Sequence, residues 1–139
     1  MKIFNAAFGF LDNLRKRRRR RDLWSALHAE LDRNLELCHV FQQRGVLDKF
    51  YLDAWRQIKD QLASPEGEFI ADQLRRVEIY NELMEEIRLF EKNYSADVAN
   101  KTLANAKELH RKKEAAWEKF ESIPLALRAV REVDRNLSK

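Results

Sequence analysis

A chain of 139 residues with three Gly, two Pro and 36% charged side chains is long enough for one self-supporting core, and too poor in turn residues for a sheet protein. Its single cysteine, Cys38, excludes an internal disulfide and points to a reducing compartment. The net charge of +4 hides an asymmetry: seven consecutive basic residues, 15–21, sit beside a body (22–139) with 19 basic and 22 acidic side chains, a net of −3. No window reaches the roughly 18 apolar residues of a membrane-spanning helix. The apolar stretch precedes the basic run, the reverse of a secretory signal, so a cytoplasmic protein is expected.

In chain order, the first segment is an amphipathic and polybasic arm, residues 1–21. Ile3, Phe4, Ala7, Phe8, Phe10, Leu11 and Leu14 cover one broad helical face, and three of the eight Phe fall within the first ten residues. Arg15, Lys16, Arg17, Arg18, Arg19, Arg20 and Arg21 follow directly. The helical bundle, residues 22–139, comes next. Trp24, Leu27, Leu31, Leu35, Cys38 and Phe41 recur at spacings of three and four, which predicts a helix over 22–44 with Asp22 as N-cap and Gly45 as a left-handed C-cap.

Leu47, Phe50, Tyr51, Ala54, Trp55, Ile58 and Leu62 give the cleanest stripe and predict a second helix over 46–63. Ser64 and Pro65 start a third, running to Tyr94 with Ile70, Val77, Tyr80, Met84 and Ile87 inward. Ser95 is the next expected cap, for a fourth helix over 96–122 that faces the core through Val98, Thr102, Ala106, Leu109, Ala116 and Phe120. Pro124 interrupts it, and a short tail helix over 124–137 shows Leu127, Val130, Val133 and Leu137 on one side. The expected architecture is an all-α, up-down bundle of about four long helices, with the arm at one end and a short C-terminal helix at the other.

A Phe/Leu face joined to an arginine cluster is the pattern of a helix lying at a lipid interface and held by anionic headgroups. The bland alternative packs Ile3, Phe4, Phe8, Phe10, Leu11 and Leu14 on the bundle or on another subunit. Phase weighs on the choice. In one continuous helix the Phe4, Phe8 and Leu11 face would point roughly 150° from the Leu27, Leu31 and Cys38 stripe, or about 90° at 3.5 residues per turn. Either Asp22 breaks the helix and the arm folds back, or its apolar face is left for a partner. The basic run suits phosphates equally well, so nucleic acid is the second reading. It lacks interleaved aromatics and a second basic face, since Glu108 and Glu114 interleave with Lys107, Arg111, Lys112 and Lys113.

Other chemistry finds little support. Glu36 and His39 form one Glu-x-x-His unit where a di-metal bundle needs two, and His28 lies about three turns, roughly 16 Å, from His39. Cys38 reads as a small core residue. Gly9, Gly45 and Gly67 are scattered, so no phosphate loop forms. Ser64, Ser95 and Ser122 sit where caps are expected, and Trp24, Trp55 and Trp117 on or beside stripes. No catalytic, cofactor or metal site is expected. The sequence predicts a non-enzymatic interaction or scaffold protein whose arm docks on an anionic membrane surface, at its inner face, or on another protein, including a second copy. No small-molecule substrate is implied.

Overall fold

The computed structural model describes residues 2–62 and 64–137, the side chains of 2–8, 10 and 135–137 excepted. Its helices are α1 (Lys2–Arg44), α2 (Asp53–Ile58), α3 (Pro65–Ala96), α4 (Leu103–Glu121) and α5 (Ile123–Leu137), with short 3-10 turns at Lys59–Gln61 and Val98–Asn100. The fold is all-α, with no strand among the described residues. No helix among them is long and apolar enough to cross a membrane.

The helix α1 is continuous through Asp22, which corrects the expected cap there. Its 43 residues make a rod of about 64 Å at 1.5 Å per residue. Among its described side chains Leu27 is the first that is buried, after Leu23 and Trp24 at the margin; Leu31, Asn34, Cys38 and Phe41 carry the core contact onward. Gly45 ends it as expected, at φ 66°, with its N–H on the Phe41 carbonyl at 2.9 Å.

The largest correction concerns residues 46–63. Residues 46–52 form a non-helical strap, and only a short α2 and a 3-10 turn follow. Two side-chain amides hold the strap open. Asn34 of α1, fully buried, accepts from the Tyr51 N–H at 2.9 Å and donates to the Tyr51 carbonyl at 2.8 Å. Asn81 of α3 does the same to Phe50, at 2.9 Å both ways. The Tyr80 hydroxyl donates to the Asp48 carbonyl at 2.7 Å. Each bond satisfies a strap group that a helix would have used internally. The turn into α2 is capped from elsewhere: the Glu30 carboxylate of α1 accepts from the N–H groups of Ala54 and Trp55 at 2.9 and 3.0 Å.

These pairings fix directions. Strap and α2 run antiparallel to both α1 (51 on 34, 54 on 30) and α3 (50 on 81, Trp55 Nε1 on Glu78 at 2.7 Å), so α1 and α3 are parallel. Helix α5 runs antiparallel to α1, with Asp134 on His28 and Arg131 on Asp32. Helices α4 and α5 follow one another along α3, meeting at Ser122 and Pro124.

The expected tail is therefore a central element. Ile123, Ala126, Leu127, Val130 and Asp134 of α5 are all buried, between α1 and α3. The start of α4 also differs. Ser95 lies inside α3; Asp97 caps the 3-10 turn, and Thr102 caps α4 by accepting from the Asn105 N–H at 3.1 Å. Val98 and Thr102, expected inward, are exposed, Val98 at 82%. Ala116 and Phe120 do enter the core. Phe120 meets Phe41, Phe50, Tyr80 and Trp117 in an aromatic cluster with ring centroids 5.2–6.3 Å apart.

Candidate functional site

Residues 15–21 occupy about two turns of α1, and all seven side chains are exposed. Within the run only Lys16 forms an ion pair among the described residues, with Asp12 at 3.2 Å. Leu11 and Leu14 are 51% and 39% exposed on the same helix. Ile3, Phe4, Phe8 and Phe10 belong to α1 by backbone, and their side chains lie outside the described residues. At the base of the run, Arg15, Arg18, Arg19 and Asp22 join Leu23, Ala26 and Gln57 of α2 around a shallow cleft of about 410 Å³.

A polar clasp lies one to two turns further along α1. His28 Nδ1 is 2.8 Å from Oδ2 of the fully buried Asp134. Arg131 Nε donates to Asp32 Oδ1 at 2.6 Å, and Arg131 Nη1 is 3.2 Å from His28 Nδ1. Burial raises Asp134 above the usual carboxylate range, the His28 contact and the Arg131 charge opposing it. Asp134 Oδ1 has no hydrogen-bond partner among the described residues. Nothing in the sequence marks this pairing, because His28 and Asp134 are 106 residues apart and belong to no spaced motif.

The remaining candidates are placed as ordinary structure. Glu36 and His39 are exposed, and no group of three or more metal-ligating side chains converges among the described residues. Cys38 is buried, and its thiol is pushed up to about 11 by desolvation. Arg111, Lys112 and Lys113 are occupied by Glu108, Glu86 and Glu91 at 2.5, 2.5 and 3.4 Å. An apolar groove of about 290 Å³ between Leu47, Met84, Ile87 and Trp117 opens at the far end of the bundle from the basic run.

In comparisons with known proteins, no family model matches the chain, and neither does any curated protein or solved structure. The functional reading therefore stands on the chain's own residues.

Proposed function

We propose that this chain is a non-enzymatic interaction protein whose N-terminal part of α1 docks on an anionic membrane surface. The observation that carries the reading is the exposure of all seven residues 15–21, together with Leu11 and Leu14, on one uninterrupted helix. Among the described residues, the first polar contact between an α1 side chain and another element comes at His28. At roughly 1 kcal/mol per basic residue near an anionic bilayer the run contributes at most about 7 kcal/mol, reduced by mutual repulsion and by salt. The apolar residues ahead of it supply the second signal that stable peripheral attachment needs.

The test is vesicle co-sedimentation of the full chain. Binding should require anionic lipid, and should fall both when Arg17 to Arg21 become Gln and when Phe4, Phe8 and Phe10 become Ser. Equal sedimentation with neutral and anionic vesicles would refute it. Tight binding to duplex DNA, with a log–log salt slope near about −6 and no effect of the Phe substitutions, would transfer the function to nucleic acid instead.

A further inference from the structure

Seven consecutive residues at about 100° each encircle a helix, so they cannot all meet one surface. Arg15, Arg18 and Arg19 fall within an arc of about 100°, and Arg17, Arg20 and Arg21 within a second arc on the opposite side of the rod. The first set borders another element. It shares the cleft with Leu23, Ala26 and the α2 residue Gln57. Leu11, 51% exposed, lies in register with the same arc, so this side of α1 carries an apolar residue first and backed arginines after it.

We propose that Arg15, Arg18 and Arg19, with Gln57, form a discrete site for a membrane lipid whose headgroup is a polyol bearing two or more phosphates. The inference rests on the membrane reading and deepens it. Guanidinium forks match phosphate oxygens bidentately, and three of them balance the charge of about two phosphomonoesters at roughly −1.5 to −2 each. The Gln57 amide adds a carbonyl acceptor, which a bare arginine face lacks, and so can take a hydrogen bond from a headgroup hydroxyl. Asp22 lines the same cleft, and its carboxylate repels a phosphate but accepts from a hydroxyl. Cations, an amide and one carboxylate together suit a headgroup with both phosphates and free hydroxyls, such as a phosphorylated inositol, better than a serine headgroup. Seated there, the lipid would orient the whole protein, with the Leu11 side of α1 and the α2 corner toward the bilayer.

Two triple variants of equal charge separate a site from a diffuse field. Full-length protein is sedimented with vesicles containing phosphatidylinositol bisphosphate, and with phosphatidylserine vesicles matched in total charge. The native chain should prefer the bisphosphate vesicles by about tenfold, on the scale of one charge-assisted hydrogen bond. Converting Arg15, Arg18 and Arg19 to Gln should abolish that preference, and converting Arg17, Arg20 and Arg21 to Gln should leave it intact. Gln57→Ala, which changes no charge, should reduce it. Soluble inositol trisphosphate should displace the native chain from bisphosphate vesicles. Equal losses in the two triple variants, or no displacement by the soluble headgroup, overturn the site while leaving anionic docking standing. Binding indifferent to anionic lipid overturns both.

Discussion

Asn34 and Asn81 each do with one side-chain amide what a neighbouring strand does with its backbone. They pair both ways with Tyr51 and Phe50, from helices on opposite sides of the strap. Asn34 is the more consequential, because it is fully buried and its loss leaves two backbone groups without partners. A buried group left unsatisfied costs about 1–3 kcal/mol, so Asn34→Ala should lower stability by about 2–4 kcal/mol. Asn81→Ala, only half-buried, should cost less. Urea denaturation followed by circular dichroism measures both, and a cost for Asn34→Ala within experimental scatter would show that the strap is held by Phe50 and Leu52 packing alone. Glu85 helps to secure the same strap from α3. Hydrogen bonds from Arg88 and from the strap residue Lys49 hold it down to about 2.

At the scale of elements, the junction of strap, α2 and α3 depends on a glycine that sequence spacing alone had no reason to single out. A methyl group on Gly67 would lie 2.6 Å from Leu62 Cβ and 3.2 Å from the Leu62 backbone. Glycine inside a helix is ordinarily worse than alanine by about 0.5–1 kcal/mol, so Gly67→Ala should stabilise if local propensity ruled. The close approach reverses the sign: Gly67→Ala should destabilise by about 1–3 kcal/mol as Leu62 is pushed out. Thermal melts of this variant beside Ser64→Ala, which removes the bond from the Gly67 N–H at 3.1 Å, would show whether contact or cap matters more. A raised melting temperature for Gly67→Ala would contradict the packing argument. The same junction shows where sequence reading stops. Helices α1 and α3 were legible in their cores because their burial follows their own period of three and four. Residues 46–52 carry a helical stripe as well, yet they are opened by Asn34 and Asn81, partners 17 and 31 residues away that no local window contains. Helix α5 was legible as a helix but not as a centre, since its short stripe does not say that it lies between α1 and α3.

For the whole molecule, the decisive asymmetry is that, among the described residues, the core begins near Leu23 while α1 begins at Lys2. The sequence displayed both halves of the basic and apolar segment, but not that α1 would be continuous through Asp22, because an aspartate after a run of arginines reads equally as a cap and as one more exposed residue. Residues 11–22 contribute no buried side chain, so their helicity draws little on tertiary packing. It is opposed from within: Arg15 and Arg19, Lys16 and Arg20, and Arg17 and Arg21 are like charges at i,i+4, each pair costing about 0.2–0.5 kcal/mol, against one favourable pair of Lys16 with Asp12. Removing residues 1–21 should therefore leave the urea midpoint of the remainder unchanged, because every described side chain among them is exposed. It should also delete a helical signal that behaves differently from the rest. In the full chain that increment should grow as salt or anionic vesicles screen the arginines, and in the truncated chain the circular dichroism spectrum should be indifferent to both. A truncated chain that melts earlier or aggregates would show that the N-terminal residues are needed by the core. The exposed face would then belong to the fold, and lipid would have no surface left to meet.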